Sequence, residues 1–403
     1  MNKIRKMILA LLIIVFVLQS CNNYDVTNLE NKVSNIETRE DINASGNDKN
    51  VVISDVGIFK DEEFGGIFFN IKIDDFKKMG FELGDSVDIE FSNGYKLEDI
   101  PHYNGYYAKT GDVMLISYPS YGFVKVCICN GDNLWGKVNV KTNDTAKIKV
   151  REKSKYSNTQ KAFNLVHNNN RNDYKSDEEF ANFRNVKLGK LKDNILYRGA
   201  SPINNIKGKA KYVDKLIDKA GVKYIIDLAD IKSDIEKFIN KSDFDSPYFK
   251  KLYDESKVDL IKINMNYKSK EFTENIVKAM ISMSNNEGPY YVHCEEGKDR
   301  TGFLCMIIEG LAGATYEEIV KDYMITYDNY YGVSEKVDKE RYDIIANNYI
   351  VDMLRYIADR DNPMNKNIDL KDLEYKNIIG RYLTDNGMSF EELDKWYNNL
   401  LKM

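Results

Sequence analysis

The stretch His293-Cys294-Glu295-Glu296-Gly297-Lys298-Asp299-Arg300-Thr301-Gly302 decides how the rest of this chain is read. Before it runs an apolar segment, Tyr290-Tyr291-Val292, and after it a helix-like one from Thr301 to Leu311. Strand, Gly-containing loop and helix in that order build a concave nest of backbone N–H groups at a helix N-terminus. Such a nest binds a tetrahedral anion. Its positive field favours the thiolate of Cys294, the form in which a cysteine is a nucleophile. Five residues on, Arg300 is placed to close the loop and fork two N–H donors onto phosphate oxygens. Thr301 can offer its hydroxyl to the sulfur as it leaves. The backbone N–H groups of Glu295, Glu296 and Gly297 would hold the anion, and Lys298 would add positive charge at the pocket mouth. The chemistry implied is phosphoester hydrolysis through a cysteinyl-phosphate.

The order His-Cys, five residues, Arg, Thr-Gly resembles the signature of the cysteine-dependent protein tyrosine phosphatases. Within it, Gly297-Lys298-Asp299-Arg300-Thr301-Gly302 resembles the bacterial branch that acts on phosphotyrosine and on lipids. Two more stretches resemble that branch, Asn194-Ile195-Leu196-Tyr197-Arg198-Gly199-Ala200-Ser201-Pro202 and Lys321-Asp322-Tyr323-Met324-Ile325-Thr326. Together they span roughly residues 190 to 330. One departure stands out: Asp227-Leu228 is followed by Ala229, where the relatives usually carry arginine, so any role of that arginine is absent or supplied elsewhere. The resemblance implies a phosphoric monoester hydrolase with a central sheet flanked by helices. Its substrate would be a phosphorylated protein or a small phosphoester, with a phosphoinositide or inositol phosphate as the alternative. A non-catalytic phosphate-binding module would not need Cys294. A sulfurtransferase or arsenate reductase usually lacks the combination of His-Cys and Arg-Thr-Gly.

A leaving alkoxide or phenoxide needs a proton, and a carboxylic acid near the loop is the usual donor. Asp299 sits in the loop one residue before Arg300. Asp227 and Asp230 end a strand at the carboxyl edge of the sheet, where α/β active sites gather. Asp299 ranks first, Asp227 second, and Asp230 reads more readily as a turn or cap residue. The side chains of Glu295 and Glu296 put two carboxylates on the loop, which disfavours highly phosphorylated inositols and favours phosphotyrosine or a small monoester. The three histidines, His102, His167 and His293, lie far apart without metal-ligand spacing, so neither a metal site nor a cofactor is expected. His293 fits a role bracing the loop.

The chain has 403 residues, room for two domains, and its 43% hydrophobic content suffices for packed cores. The N-terminus reads as a lipoprotein signal peptide over residues 1–20. Lys3, Arg5 and Lys6 are the charged start, Met7 to Leu18 the apolar run, and Leu18-Gln19-Ser20-Cys21 looks like a lipobox. The run is too short for a spanning helix, which needs about twenty residues. Cys21 would then carry lipid and anchor the protein to the membrane, facing outside the cytoplasm. Losing the three leader cations takes the formal charge from −5 to −8, a poor match to nucleic acid. Residues 21–50 are polar and read as a tether.

Over residues 51–150 short alternating runs, such as Ser86-Val87-Asp88-Ile89-Glu90-Phe91 and Thr145-Ala146-Lys147-Ile148-Lys149-Val150, are separated by Asn93-Gly94, Asn104-Gly105, Thr110-Gly111-Asp112 and Asn130-Gly131-Asp132. This pattern predicts a small all-β barrel or sandwich. Tyr103, Tyr106, Tyr107, Tyr118 and Tyr121 cluster near its turns and suit strand packing better than a binding surface. Cys127 and Cys129 share one face of a strand and read as core residues, as does Cys305 on the helix after the loop. Residues 157–403 form the phosphatase domain, in which helical and strand segments alternate. Helices are expected over 210–220, 272–283, 339–358, 370–384 and 389–401. Strands are expected over 222–228, 258–264 and 289–293, and Thr315 to Glu318 forms a capping box.

Overall fold

The computed structural model describes residues 51–361 and 368–402. The expected signal peptide, the lipidation site Cys21 and the tether lie outside the described residues. The chain divides into two compact units. The first runs to Ala108 and resumes over Asp112–Lys161, and the second comprises Lys109–Gly111 and the chain from Ala162 onward.

The first unit is a closed barrel of seven strands: β1 (Val52–Lys60), β2 (Ile67–Lys72), β3 (Ser86–Phe91), β4 (Lys96–Tyr103), β5 (Val113–Ile116), β6 (Phe123–Ile128) and β7 (Thr145–Glu152). They close in the order β1-β2-β6-β5-β4-β3-β7. Only β4 and β5 pair in parallel; every other neighbour is antiparallel. Strand β7 shows how the sequence dictates this. Ala146, Ile148 and Val150 point into the core, while Lys147, Lys149 and Arg151 face water.

Strand β6 breaks that rule, since both of its faces are buried. Val124, Val126 and Ile128 join the barrel interior. Phe123 and Cys127 belong to a second cluster on the outer face with Phe68, Tyr103, Met114, Tyr121 and Cys129. Tyr106, Tyr107 and Tyr118 pack against it. The tyrosines are therefore packing residues, and the barrel has a second apolar layer outside its wall. Lys125, on the same face, is fully buried: its Nζ donates to Asp61 Oδ2 at 3.1 Å and to Tyr106 OH at 3.0 Å.

The second unit is built on the sheet β11-β10-β12-β9-β8. Its strands are β8 (Arg184–Asn185), β9 (Leu196–Gly199), β10 (Tyr224–Asp227), β11 (Val258–Leu260) and β12 (Tyr290–His293). Strands β9 to β12 run parallel and β8 is antiparallel at the edge. The register sets Asp227 beside His293 and His293 beside Gly199, so three strand ends meet at one carboxyl edge.

Ten helices of at least eight residues occur among the described residues of this unit: α1 (Ala210–Lys219), α2 (Lys232–Ile239), α3 (Pro247–Asp254), α4 (Lys270–Asn285), α5 (Asp299–Leu311), α6 (Tyr316–Tyr331), α7 (Lys339–Asn348), α8 (Ile350–Asp361), α9 (Tyr375–Thr384) and α10 (Phe390–Leu400). Val213, Leu216 and Ile217 of α1 pack with Phe249 and Leu252 of α3 against Ile225 and Tyr291. Helix α5 is buried on every side from Thr301 to Leu311, as its almost uncharged sequence requires. Its start differs from expectation, for the helix takes in Asp299 and Arg300 rather than beginning at Thr301. The single helix expected over 339–358 is two helices broken at Tyr349, whose φ of −117° and ψ of −85° leave the helical region. The ring is held edge-on to Phe163 at 5.3 Å and stacks with Tyr327 at 6.3 Å, so side-chain packing there replaces helix continuity. Likewise the helix expected over 370–384 is a 3₁₀ turn, Leu370–Asp372, followed by α9. The capping box at Thr315 is formed as read, and Ser389 forms a second one at the start of α10.

Candidate active site

The loop leaves β12 at Cys294 and turns into α5. Cys294 is only 3% exposed and Thr301 is fully buried. Gly297 makes the turn with φ of +66°, and a Cβ there would sit 2.2 Å from Gly199 O, so only glycine fits both the angle and the space. The carbonyls of the loop are engaged from outside. Ser201 N–H donates to Glu295 O at 3.0 Å, and Tyr330 OH donates to Glu296 O at 2.9 Å. Asn182 Nδ2 and Arg198 Nη2 donate to Gly297 O at 3.2 and 3.1 Å. The Lys298 carbonyl instead accepts from Gly302 N–H of α5 at 2.8 Å. With its carbonyls turned outward, the loop is left with amide groups for its concave side, the arrangement of an anion nest. Arg300, in the first turn of α5, reaches Leu228 O at 3.4 Å and feels the charge of Cys294. Cys294 and the Arg300 guanidinium therefore lie at the two ends of one closed turn.

Behind the loop stands a buried ionic frame absent from the sequence reading. Arg198 Nη1 donates to Asp322 Oδ2 at 2.6 Å, and Arg184 Nε to Asp322 Oδ1 at 2.8 Å. Burial alone would raise the Asp322 carboxyl, but the two guanidiniums outweigh it and hold it ionised. Burial and the nearby Asp322 push Glu309, on α5, well above the usual carboxylate range, so it stays neutral. Arg198 and Asp322 lie in the two outlying stretches that resemble the family, which is the one signal that marks them. Their pairing across 124 positions has no local signature.

The other predicted residues are distributed as follows. Glu296 is not a free carboxylate. Lys207 Nζ bonds its Oε1, Lys298 Nζ lies 3.5 Å from Oε2, and His167 Nδ1 lies 3.1 Å from Oε1. Burial would raise this carboxyl, but Lys298, His167 and Lys207 together hold it well below its ordinary range. Lys298 itself is spanned between Glu296, Asp299 at 3.8 Å and the rings of Tyr327 and Tyr331. Neither Lys207 nor His167 carries a sequence signal.

Asp299 accepts a hydrogen bond from Tyr323 OH at 3.0 Å on one oxygen, and its other oxygen faces Lys298. Asp227 is fully buried; its Oδ1 accepts from the N–H groups of Ala229 at 2.8 Å and Asp230 at 3.2 Å. His293 Nε2, Glu295 Oε1 and Thr301 Oγ1 are buried polar atoms without hydrogen-bond partners, and the Asp227 and Asp230 carboxyls hydrogen-bond each other. Burial pushes both carboxyls up, Asp227 to about 6 and Asp230 to about 7; the charge of Asp227 raises Asp230 further, while the hydrogen bond from Asp230 favours the ionised Asp227, so the pair shares a proton near neutrality. Burial drives His293 down to about 4, so its imidazole is neutral. The 3.8 Å approach of His293 Nε2 to Asp227 is accordingly not an ion pair. On its other side His293 Nδ1 lies 3.2 Å from Cys294 O, which makes it a brace for the loop. Among the described residues there is no group of three metal-ligating side chains.

No curated protein is significantly similar to the chain. Among solved structures, one described as an uncharacterized conserved protein from Thermotoga maritima shares 20% identity. The alignment covers 29% of this chain and 40% of that one, with a TM-score of 0.23, so the chain spans less than half of that protein and the likeness carries no argument. The model of the tyrosine phosphatase family matches residues 178–402, which takes in the loop, the ionic frame and every helix from α1 to α10. By that match, over more than half of its length, the chain belongs to the tyrosine phosphatase family.

Proposed function

We propose that the second unit hydrolyses phosphomonoesters through a cysteinyl-phosphate, with protein phosphotyrosine as the substrate class that fits best. The observation that carries this reading is the closed turn with the carbonyls of Glu295, Glu296 and Gly297 engaged from outside, and with Cys294 and Arg300 at its ends. A phosphoryl group seated there meets amide donors and the Arg300 fork on its equatorial oxygens. The Cys294 thiolate attacks phosphorus, the ester oxygen departs with a proton from a carboxyl at the rim, and water then releases phosphate and restores the thiolate. Nothing in these steps calls for a metal.

Glu295 keeps a carboxyl at the loop, which favours a monoester over a polyanion. The same cannot be said of Glu296, whose charge is cancelled by Lys207 and Lys298. The test is turnover of 4-nitrophenyl phosphate, a phosphotyrosyl peptide, a phosphoinositide and an inositol polyphosphate. Orthovanadate should inhibit and a chelator should not. Cys294→Ser should keep the fold and lose turnover, because an alcohol is not ionised where a thiolate is. Loss of activity to a chelator with recovery on adding a divalent ion would rule out the reading. Preference for the inositol polyphosphate would overturn the substrate class alone.

A further inference from the structure

We propose that residues 163–174 form a strap that belongs to the active site, with His167 as the residue that positions the phosphate loop by holding the Glu296 side chain. The inference rests on the hydrolase reading above and adds to it a positioning residue that lies ahead of the family-matched residues 178–402.

The strap is fixed by its own residues before it reaches the loop. Tyr174 OH donates to Asn168 O at 2.5 Å, and Asp173 Oδ2 accepts from Asn168 Nδ2 at 2.6 Å and from Asn170 Nδ2 at 3.2 Å. Arg171 donates to Tyr174 O at 2.8 Å and to Asp177 Oδ1 at 2.6 Å. Aromatic contacts pin the two ends: Phe163 stands edge-on to Tyr349 at 5.3 Å, and Tyr174 to Phe180 at 5.1 Å. Tyr174, Phe180 and Tyr330 form one buried cluster, and the Lys209 ammonium lies 5.4, 4.1 and 4.3 Å from their ring centres. Between these anchors Val166 is 84% exposed, while His167 turns inward and leaves 13% of its side chain exposed.

What His167 meets there is the phosphate loop. Its ring centre lies 4.4 Å from that of Tyr330, it stands edge-on to Tyr331 at 5.6 Å, and it hydrogen-bonds the Glu296 carboxylate with Nδ1 3.1 Å from Oε1. Lys207 bonds the same oxygen, and Lys298 lies 3.5 Å from the other. Tyr330 OH donates to the Glu296 carbonyl at 2.9 Å, so this residue is gripped at both backbone and side chain. Glu296 stands two positions after Cys294, inside the turn that receives the anion. A carboxylate free to swing there would set its charge against a bound phosphate and let the neighbouring amides turn with it. Held by His167, Lys207, Lys298 and Tyr330, it keeps one orientation, and the loop amides keep theirs.

Packing alone does not call for an imidazole at this position, since a ring without nitrogens would stack on Tyr330 as well. The polar edge is what reaches Glu296. Burial keeps the imidazole neutral, so it gives the carboxylate a donor without a further charge, the two ammonium groups already meeting that need. His167 acts on the bound phosphate through Glu296 and not by touching it, which makes it a positioning residue.

The experiment uses the full chain with His167→Phe, which keeps the stacking ring and removes its nitrogens, and His167→Gln, which keeps a donor. Glu296→Gln, alone and combined with His167→Phe, completes a double-mutant cycle, and Val166→Ser is the control on the exposed side of the strap. Orthovanadate affinity is read by calorimetric titration, and kcat and KM by steady-state hydrolysis of 4-nitrophenyl phosphate. His167→Phe is expected to weaken vanadate binding and to lower kcat/KM about 10-fold, the scale of one hydrogen bond to a charged group. Val166→Ser should match the wild type, and His167→Gln should recover part of both losses. With Glu296→Gln already in place, His167→Phe should cost less than about 2-fold, because the carboxylate it acts through is gone. A merely structural role would instead lower the melting temperature and the active fraction, hence kcat, and leave vanadate affinity and KM as they were. That pattern, no recovery by glutamine, or an equal loss with and without the Glu296 carboxylate overturns the proposal. A wild-type chain that neither binds vanadate nor turns over the ester sinks the hydrolase reading itself, a different outcome from an active wild type indifferent to His167.

Discussion

Gly297 shows how much of the site hangs on a single atom. A methyl at that position meets Gly199 O at 2.2 Å and asks an L-residue to hold φ at +66°. The angle costs on the order of 1–2 kcal/mol, and the overlap adds roughly 1–3 kcal/mol. Gly297→Ala is therefore expected to destabilise the second unit by about 2 kcal/mol or more and to weaken orthovanadate binding, because the amides can no longer converge. Calorimetric titration with orthovanadate and a thermal melt check both. Vanadate affinity equal to that of the wild type would show that the loop tolerates the side chain and that Gly199 moves aside. The requirement was legible in sequence only as a glycine in the right motif. What the glycine avoids, the carbonyl of Gly199 on another strand, was not. The same divide separates Cys294 and Arg300, readable from their spacing, from Lys207 and His167, which reach Glu296 from positions with no periodic or motif signal.

At the scale of elements, strands with one wet face and helices with marked ends were legible, while elements buried on both sides were not. Strand β7 alternates cleanly, and the capping boxes of α6 and α10 sit where Thr315 and Ser389 announce them. In β6, however, alternation sends Lys125 to solvent, whereas an outer layer of aromatics covers it and Asp61 neutralises it. No Gly or Pro marks the break at Tyr349, so the sequence there reads as one continuous helix.

His102 at the end of β4 gives the barrel a pH dependence of its own. Its Nδ1–H donates to Glu82 O at 2.9 Å, and its Nε2 accepts from Ser117 Oγ at 2.7 Å, so both nitrogens are used by the neutral ring. Burial lowers the ring to about 4 from its ordinary 6.5. A depressed histidine favours folding above its unfolded value. That contribution is whole above pH 6.5 and is lost as pH falls toward 4, the unfolded chain taking up the proton first. About 2 kcal/mol should disappear between pH 6.5 and pH 5. Urea melts followed at the barrel aromatics check this. A His102→Gln variant should show a flatter dependence over that interval, and equal slopes would exclude His102 as the cause.

For the molecule as a whole, the catalytic reading and the address are independent, since one lies in Cys294 to Arg300 and the other in Leu18-Gln19-Ser20-Cys21. We propose that the chain is a lipoprotein held at the membrane through Cys21 and facing outside the cytoplasm. There it would meet surface phosphoproteins and exogenous phosphoesters rather than nucleic acid, which its formal charge of −8 after loss of the three leader cations would repel. The argument is one of length and order. Three cations precede the apolar run Met7 to Leu18, which falls short of the roughly twenty residues a spanning helix needs, and Cys21 follows after Gln19 and Ser20. One acyl chain binds a membrane only weakly, so firm anchoring implies more than one chain on Cys21. The wild-type protein should thus partition with membranes, begin at Cys21 and carry the mass of its acyl chains there. Cys21→Ala should leave the membrane fraction or stay unprocessed, while the same protein assayed in detergent keeps the wild-type rate on 4-nitrophenyl phosphate. Intact Met1 or an unmodified Cys21 in the wild type, read by mass spectrometry, would remove the anchor and with it the placement outside the cytoplasm, and would leave the chemistry at Cys294 untouched.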